Sequence, residues 1–321
     1  ENCFNKVGMD HVLLVRIASS AVSAKLLGCS FEEIRNAISH AFIDGGALRT
    51  YRHAPNTGSR KSWAAGDASS RGVDLALKAK SGEMGYPSAL SASFWGYEDV
   101  KMKGAKLTIP QEFGSYVMEN VLFKISFPAE FHAQTAVEAA LKLHNEVKDR
   151  LETIEKIIIT TQESGHRIIN KVGELANPAD RDHCIQYMVA IPLIFGRLVA
   201  DDYEDNIAKD SRIDKLREKM LVEVDERYTK EYLEADKRSI ANAVQVFFND
   251  GSKTQKIEVE YPVGHKRRRN EGIPLLLNKF KENLATKFDP KKAAVIQEIC
   301  SNQQNLEAMN FNEFSDLFWL G

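Results

Sequence analysis

The residues best suited to bind an anion lie close together in one short stretch of the sequence. This stretch contains Arg49, Arg52, His53, Arg60 and Lys61, and it contains no acidic residue. Guanidinium groups pair with carboxylates through two parallel hydrogen bonds, lysine supplies a mobile positive charge, and histidine can change its protonation near neutral pH. We therefore expect these five side chains to bind a small polyanion.

The same stretch is predicted to be a loop between two helices. Pro55, Asn56 and Gly58 favour turns, and binding sites commonly lie on such loops. A solvated basic loop is the alternative interpretation. The following helix is predicted to begin near Gly66, and its N-terminus would itself favour an anion. Asp67 in its first turn is interpreted as structural, with the alternative that it orients Arg60 or Lys61.

The overall composition favours a small molecule or another subunit as the partner. A chain of 321 residues, 43% of them hydrophobic, can bury a sizeable core and is predicted to form two domains. Its formal net charge of -2 predicts no binding to nucleic acid, and no apolar run is long enough to cross a membrane. The cysteines form no C-x-x-C pair, which argues against a locally spaced zinc or iron–sulfur site and indicates a reducing compartment.

Hydrophobic periodicity and capping signals predict helices in the first third of the chain. Gly28 and Gly82 are typical helix terminators, and Ser30 with Glu33 forms a capping box. These helices are expected at 12–27, 30–42 and 68–80. Residues 1–122 therefore indicate a helical domain, with the basic loop at one end of it.

A mixed pattern follows this helical part. The β-branched run at 154–161 predicts a strand, and Asn249-Asp250-Gly251 predicts a hairpin between 244–248 and 256–261. Helices are expected at 133–147, 182–198, 210–220 and from about 273 to the end. The predicted fold class is α with an α+β insert. The predicted domains are a helical domain at 1–122, an α+β lid at 123–265, and C-terminal helices at 266–321 that return to the helical domain.

Four longer strings carry a resemblance to a known family. They are RKSWAAGDA at 60–68, GEMGYPSAL at 82–90, FPAEFHAQT at 127–135 and DRDHCIQYMVAIPL at 180–193. Through them the sequence resembles the MmgE/PrpD family over essentially its whole length. The resemblance implies a homodimeric enzyme with a large helical domain, a smaller α+β lid, and a site in the cleft between them.

The reaction that this resemblance implies is the removal of water from 2-methylcitrate to give 2-methyl-cis-aconitate. This step belongs to propionate catabolism through the methylcitrate cycle, and it is expected to need no iron–sulfur cluster, cofactor or metal. Such a reaction needs cations to stabilise charge on the substrate carboxylates, a base and an acid. The alternatives are an aconitase-like or cis-aconitate decarboxylase-like reaction, or a non-catalytic fragment that binds polycarboxylates or only pairs with itself.

The resemblance also suggests roles for particular residues. Lys61 aligns with a site lysine of the related cis-aconitate decarboxylases, and we interpret it as a substrate clamp or acid. His11 approximates a Gly-x-His motif of those relatives, displaced by one residue, and is our candidate base; a capping or packing role is the alternative. Lys124 and His132 lie near another site lysine of the relatives and are further catalytic candidates. Their alternative interpretation is a lid hinge with an exposed lysine and a hydrogen-bonded histidine.

A second basic patch follows the hairpin. His265 and Lys266 in this patch are predicted to bind a substrate carboxylate from the lid, and a nuclear-import or nucleic-acid tract is the alternative. His183, Gln186 and Tyr187 are predicted to pack inside the lid. Three histidines without a supporting pattern are predicted to be structural: His40, His144 and His166.

Two further expectations concern the whole protein. The family carries an Asp-rich stretch with an acidic site residue in the helical region that precedes this sequence, and the 321 residues contain no counterpart of it. If the native protein is longer, these residues hold only part of the catalytic set. The expected compartment is the mitochondrial matrix of a fungus, with the bacterial cytoplasm as the alternative.

Overall fold

The computed structural model describes residues 2–53, 55–109 and 112–320. The chain divides into two compact units, each built from three segments. The first unit is formed by Glu1–Phe113, Asn170–Tyr187 and Ala200–Glu218, and the second by Gly114–Ile169, Met188–Val199 and Lys219–Gly321. The domain boundaries expected after residues 122 and 265 remain predictions from the sequence.

The described residues are mostly helical, with one small mixed sheet. The α-helices of the first unit are α1 (Asn2–Lys6), α2 (Val12–Leu26), α3 (Phe31–Ile43), α4 (Arg60–Lys80), α5 (Tyr97–Val100), α9 (Pro178–Arg181), α11 (Asp205–Ala208) and α12 (Ser211–Glu218). Those of the second unit are α6 (Tyr116–Asn120), α7 (Gln134–Val147), α8 (Glu163–Ile169), α13 (Glu226–Leu233), α14 (Arg269–Ala285), α15 (Pro290–Ser301), α16 (Gln303–Ala308) and α17 (Phe311–Asp316). Helix α10 (Ile185–Phe195) begins in the first unit and ends in the second.

Small residues allow α2, α3 and α4 to pack closely in the first unit. Ala24, Ala37 and Ala76 are fully buried in one cluster between them. At Gly72 of α4, an added Cβ would lie 2.8 Å from the backbone oxygen of Arg16 on α2, so a larger residue would separate the two helices. The predicted capping box at the start of α3 is confirmed, with Ser30 and Glu33 each bonded to the other's backbone.

The predicted start of the third helix was wrong. Helix α4 begins at Arg60 rather than at residue 68, so Arg60 and Lys61 lie in its first turn and not in the preceding loop. Gly66 was interpreted as a helix start, but inside the helix it faces open space and is tolerated at the usual cost of about 1 kcal/mol. The anion-favouring helix N-terminus is therefore located at Arg60.

The sheet lies in the second unit and contains β1 (Ile154–Thr161), β2 (Met220–Val224), β3 (Asn242–Phe248) and β4 (Ile257–Val259), in the order β2-β1-β3-β4. Strand β1 pairs parallel with β2 and antiparallel with β3, and β3 pairs antiparallel with β4. The predicted strand and hairpin are confirmed. Helix α7 packs on β3 and β4.

The helix predicted at 182–198 is shorter at both ends. Asn177 caps the short helix α9 through Asp180, and the chain then turns before α10 begins at Ile185. Gly196, with a φ of 66°, follows the last residue of α10. Asp182 and His183 consequently lie in the turn between α9 and α10, where their side chains are not committed to a helix face.

Candidate functional site

A short antiparallel bridge brings the start of α2 beside the basic stretch. Met9 pairs with Leu48, so that the backbone of Asp10 donates to Ala47 and that of Arg49 donates to Gly8. This pairing places the side chains just before α2 next to the arginines that follow residue 48. The Lys61 cluster, as we name it, comprises Asp10, His11, Arg49, Arg52, His53, Lys61, Lys171, Asp180, Asp182 and His183 of the first unit.

Asp10 and Arg52 form a buried ion pair in this cluster. Arg52 Nε donates to Asp10 Oδ2 at 2.5 Å, and the amide of Val12 donates to Asp10 Oδ1 at 3.0 Å. Burial alone would raise the pKa of the fully buried Asp10, but the Arg52 hydrogen bond and the Val12 amide outweigh it and hold that pKa below its ordinary value. Asp10 is therefore an ionised structural partner of Arg52.

Arg49 contacts the candidate base. Its guanidinium donates to His11 Nδ1 across 3.3 Å, and Arg49 itself is buried while His11 is partly exposed. Because a guanidinium can only donate, Nδ1 of His11 must be the acceptor, so the proton of the neutral ring lies on Nε2. The ring nitrogen that faces Arg49 can act as a base only after Arg49 has moved away from it.

Lys61 reaches from the first turn of α4 to the turn that precedes α10. Its Nζ donates to the carbonyl of Ala179 at 2.8 Å and to Asp182 Oδ1 at 2.6 Å, and lies 2.7 Å from His183 Nδ1. Burial lowers the pKa of Lys61, and the nearby charge of Lys171 adds to the decrease, against the opposing effect of Asp182. Lys61 is thus a largely buried amine held at close range by an acid and an imidazole.

The segment that carries Asp182 is fastened to the basic loop at other points. Asn177 donates to the carbonyl of Thr57 at 2.9 Å. Within the segment itself, Lys171 pairs with the buried Asp180 at 3.0 Å. His53 is exposed, yet partial burial and the charges of Arg49 and Lys171 lower its pKa. His53 is accordingly neutral at neutral pH and not a cation.

Arg60 differs from its neighbour Lys61. Its guanidinium lies over the rings of Trp63 and Tyr51, at 4.4 and 5.4 Å from their centroids, and contacts Asp67 at 3.4 Å. Asp67 was placed in the first turn of its helix, and this was wrong, because α4 begins at Arg60; the contact is in line with the alternative that Asp67 orients Arg60. Aromatic faces attract a guanidinium without neutralising it. Asp67 pairs with Arg60 only at 3.4 Å and is shared with Arg71, so one carboxylate faces two guanidinium groups here.

The absence of acids within the basic stretch did not leave its cations unpaired. Asp10 pairs with Arg52 and Asp182 pairs with Lys61, although both acids lie far from residues 49–61 in the sequence. The interpretation of His183 as a packing residue of the lid was wrong, because its ring contacts Lys61 in the first unit. Gln186 and Tyr187 are buried as predicted, but they too belong to the first unit.

The second unit contains a chain of polar groups around His132. We name Glu130, His132, Tyr232 and His265 the His132 cluster. Glu130 Oε1 lies 2.8 Å from His132 Nδ1, and the Tyr232 hydroxyl lies 3.3 Å from Nε2. A carboxylate beside Nδ1 fixes the ring orientation and favours a proton on that nitrogen, which leaves Nε2 to accept from the tyrosine.

His265 and His132 line one cavity of about 380 Å³ in this unit. The cavity is lined largely by apolar side chains, together with Tyr232 and Arg238. His265 is buried, accepts the amide of Arg267 on Nδ1 and lies 4.5 Å from the Tyr261 ring centroid. Burial and the charges of Arg267 and Lys266 lower the pKa of His265 to about 4, so His265 is neutral at physiological pH.

The remaining candidates of the second unit are placed differently. Lys266 donates to Asn120 at 2.6 Å. Lys124 is exposed, with its Nζ 5.1 Å from the centroid of the Phe131 ring. Before His265, Gly264 approaches Phe123 so closely that an added Cβ would lie 1.7 Å from the Phe123 carbonyl oxygen. This contact fixes the backbone on which His265 and Lys266 are carried.

Two of the histidines predicted to be structural make packing contacts. His40 forms an edge contact with Tyr86, and His144 Nδ1 lies 3.1 Å from the carbonyl of Leu193. Within residues 2–53, 55–109 and 112–320, no three His, Cys, Asp or Glu side chains are grouped so that they could hold a metal ion. Over the same described ranges, no helix is long and apolar enough to cross a membrane.

Several residues of these clusters escaped the sequence-based reasoning. They are Asp10, Asp182, His183, Glu130 and Tyr232. Glu130 was within reach, because it lies two residues before His132 in the FPAEFHAQT string. Asp182 and His183 lie in another of the strings, DRDHCIQYMVAIPL, but no spacing rule links them to Lys61.

Comparisons with known proteins show the family to which the chain belongs. The MmgE/PrpD N-terminal domain matches residues 1–110, and the MmgE/PrpD C-terminal domain matches residues 127–305. The chain is 59% identical to the 2-methylcitrate dehydratase of Escherichia coli K12 and 57% identical to that of Cupriavidus necator, in each case over 99% of this chain and 66% of the relative. It is 56% identical to the mitochondrial 2-methylcitrate dehydratase of Yarrowia lipolytica, over 99% of this chain and 61% of that protein. The chain thus spans less than two thirds of the length of these relatives.

Proposed function

Because the chain belongs to the MmgE/PrpD family, we propose that it is part of a hydro-lyase that removes water from 2-methylcitrate to give 2-methyl-cis-aconitate. The names of the relatives that are 56–59% identical support this substrate and reaction. The structural observation that carries the proposal is the Lys61 cluster, in which Arg49, Arg52 and Lys61 converge beside two imidazoles in one unit. The reaction places the chain in the methylcitrate cycle of propionate catabolism.

Recognition of the substrate begins with its carboxylates. Arg49 donates to a neutral imidazole, whereas Arg52 is already neutralised by Asp10. A carboxylate that binds Arg49 therefore replaces a weaker neutral acceptor by a charged one, and charge-assisted bonds are about twice as strong. Arg60, which lies over two aromatic rings and shares Asp67 with Arg71, is the second proposed carboxylate ligand. Arg52 and the neutral His53 complete the binding set, Arg52 by positioning and His53 by hydrogen bonding.

The same step prepares the base. When Arg49 turns to the substrate carboxylate, Nδ1 of His11 loses its hydrogen bond and its lone pair becomes available. The imidazole can then take the proton from the carbon next to a carboxylate. Negative charge that develops on that carboxylate is stabilised by the cations already bound to it. Substrate binding and activation of the base are coupled in this way through one guanidinium.

The acid that assists the departure of hydroxide is assigned to the Lys61 side of the cluster. Within the described residues, Lys61 is the one proton-bearing cation of the cluster that combines a largely buried side chain with a lowered pKa and a direct imidazole contact. A lowered pKa makes an ammonium a better proton donor at neutral pH. In the second unit, we propose acid–base chemistry for His132, carboxylate binding for Lys124 and Lys266, and hydrogen bonding without charge for His265.

The family resemblance supports further proposals about the whole protein. We propose a large helical domain with a smaller α+β lid, assembly as a homodimer, and a reaction that uses neither a metal nor a cofactor. The mitochondrial matrix is the proposed compartment, in line with the name of the Yarrowia relative, and the bacterial cytoplasm is the alternative.

The test compares two lysine variants on the same helix. In the complete protein, formation of the conjugated product is followed by its ultraviolet absorbance. Lys61→Ala is expected to lower kcat at least 100-fold, since proton transfer by a positioned group contributes about 10²–10⁴-fold. Lys78→Ala removes an exposed lysine of α4 that pairs with the exposed Asp74, and it should leave the rate unchanged. Full turnover by Lys61→Ala would remove Lys61 from the mechanism, and release of carbon dioxide would indicate a decarboxylase instead.

A further inference from the structure

All three hydrogens of the Lys61 ammonium face acceptor atoms of the protein in this structure. A lysine ammonium carries three N–H donors and no acceptor. Lys61 Nζ meets three acceptor atoms, the Ala179 carbonyl oxygen at 2.8 Å, Asp182 Oδ1 at 2.6 Å and His183 Nδ1 at 2.7 Å. Its side chain is only 11% exposed. In this arrangement Lys61 is saturated and cannot donate to a substrate.

The contact with Lys61 also fixes the state of the imidazole. If the ammonium donates to His183 Nδ1, the neutral ring carries its proton on Nε2, the nitrogen on the far side. The His183 side chain is 21% exposed, and Nε2 forms no hydrogen bond to any of the described residues. Nε2 is therefore the ring nitrogen that keeps a hydrogen for a ligand, on the opposite side of the ring from Lys61.

Asp182 serves both nitrogens. Its Oδ1 lies 2.6 Å from Lys61 Nζ and 2.8 Å from His183 Nδ1, so the three atoms form a triangle. While the lysine is charged, this oxygen accepts from the ammonium. Once Nδ1 carries a proton, the same oxygen can accept from the ring without any movement of the chain. The carboxylate thus stabilises the arrangement before and after a proton moves from Lys61 to His183.

Other charges around the amine favour this transfer. Lys171 and Arg52 lie close enough to Lys61 to disfavour its positive charge, and burial acts in the same direction. Lys171 itself pairs with Asp180, and Arg52 pairs with Asp10, so both stay in place as fixed cations. These surroundings lower the pKa of Lys61 and make its proton easier to release.

We propose that His183 is a catalytic residue that passes the proton of Lys61 to the departing hydroxide, with Asp182 as the positioning residue of both. This inference rests on the dehydration proposed above. The Nζ–H bond breaks as the Nδ1–H bond forms, and the Nε2–H bond breaks as the departing oxygen gains its second proton. The C–O bond breaks with its electron pair on oxygen, which leaves as water. The base takes the carbon-bound proton, and the C–H electron pair becomes the double bond.

We call this transfer, from Lys61 through His183 to the departing oxygen, the relay. It conserves every proton. Lys61 is left as a neutral amine, and the His183 proton lies on Nδ1 facing Asp182. One proton has moved from the acid side to water and one from carbon to the base. Return of a proton from the base through solvent to Nε2, with transfer from Nδ1 back to Lys61, restores the starting state.

Two amide substitutions distinguish proton transfer through His183 from a role in which His183 only holds Lys61 in place. In His183→Asn, the amide oxygen can accept from Lys61 as Nδ1 does, but the Nε2 donor is lost. In His183→Gln, the amide reaches the position of Nε2, but the contact with Lys61 is lost. The relay predicts that both variants of the complete protein lose at least 100-fold in kcat with KM within about threefold. A kcat of His183→Asn within threefold of the wild type would overturn it.

A second measurement does not depend on turnover. Nitrogen NMR of histidine-labelled protein reports which ring nitrogen carries the proton, and the His183 signals are assigned by their loss in His183→Gln. The wild type should show the Nε2–H tautomer, and Lys61→Met should shift the ring to Nδ1–H bonded to Asp182. A wild-type ring protonated on Nδ1 would overturn the relay even if His183→Asn does not fold.

The two proposals can fail separately. A wild-type protein that turns over 2-methylcitrate while His183→Asn does so equally well loses the relay and keeps the dehydration. A wild-type protein without any turnover loses the dehydration, and with it the hydroxide step of the relay. In that case the tautomer measurement still decides whether Lys61 donates to His183.

Discussion

The Lys61 cluster and the His132 cluster differ in how their polar side chains are paired. In the first, every described acid pairs with a cation: Asp10 with Arg52, Asp182 with Lys61, and Asp180 with Lys171. In the second, Glu130, His132 and Tyr232 form a chain of hydrogen bonds beside a largely apolar cavity, and His265 is neutral. The first region is a network of ion pairs, whereas the second contains one carboxylate, Glu130, which is hydrogen-bonded to an imidazole.

The contrast teaches how each region can respond to a ligand. A charged network can exchange partners when an anion arrives, because each cation has an alternative acceptor of the same kind. A hydrogen-bonded chain with a single carboxylate beside an apolar cavity has fewer ionic partners to exchange and depends more on shape and hydrogen-bond direction. The three predictions below test this difference in stability and pH dependence.

The largest effect is expected from breaking the buried pair of the first region. Asp10→Ala removes the partner of Arg52 and the acceptor of the Val12 amide, and should lower the free energy of unfolding by about 3–5 kcal/mol because a buried guanidinium is left unpaired. Urea unfolding measures the change. Asp74→Ala, which breaks an exposed pair with Lys78, should cost less than about 0.5 kcal/mol. A loss below 1 kcal/mol in Asp10→Ala would mean that solvent compensates Arg52.

The second prediction concerns the pH range in which His265 of the His132 cluster lowers the free energy of unfolding. His265 titrates near 6.5 in the unfolded chain, but its folded pKa is about 4, so only the unfolded chain takes up this proton between those values. The stability due to neutral His265 is complete above pH 6.5 and is lost as pH falls towards 4, by roughly 3 kcal/mol at about 1.4 kcal/mol per pK unit. His265→Asn should flatten the unfolding free energy over this range.

The acids of the first region should respond at lower pH. Asp10 has a folded pKa below its ordinary value of 3.8, so its contribution is present above that value and is lost only as pH falls further. Urea unfolding at a series of pH values separates the two ranges. An equal pH slope in wild type and His265→Asn between 6.5 and 4 would contradict the neutral His265.

The smallest effect is expected within the hydrogen-bonded chain. Tyr232→Phe removes the hydroxyl that meets His132 Nε2 and should lower the free energy of unfolding by about 1 kcal/mol, the usual net value of one hydrogen bond. Tyr116→Phe is the matched control in the same cavity, since the Tyr116 hydroxyl makes no hydrogen bond to the described residues. Equal changes in both variants would show that the Tyr232 contact adds nothing.

The elements of the fold were largely accessible from the sequence because local signals specify them. The capping box at Ser30 begins α3, the β-branched run at 154–161 forms β1, and Asn249-Asp250-Gly251 lies in the connection between β3 and β4. The start of α4 was missed because Gly66 suggested a boundary, whereas a glycine that faces open space costs a helix little. A single residue of low helix propensity is therefore not enough to mark where a helix begins.

The site was predictable in its cations and not in its acids. The basic residues follow each other within residues 49–61, but Asp10 reaches Arg52 through the Met9–Leu48 bridge, and Asp182 reaches Lys61 from a turn more than a hundred residues later. These contacts depend on tertiary structure, and the sequence pattern contains no periodicity that encodes them. The role of His183 was missed for the same reason, because only the turn before α10 directs its ring towards Lys61.

The close approach at Gly264 has a consequence for how this protein can vary over evolutionary time. An added Cβ at Gly264 would overlap the Phe123 carbonyl. Any substitution that introduces a side chain there therefore forces the backbone at residues 123 and 264 apart. Evolved variants of this protein are therefore expected to keep glycine at position 264, while the neighbouring basic residues can be substituted. A survey of natural variants should find the tolerated changes beginning only beyond this point of contact.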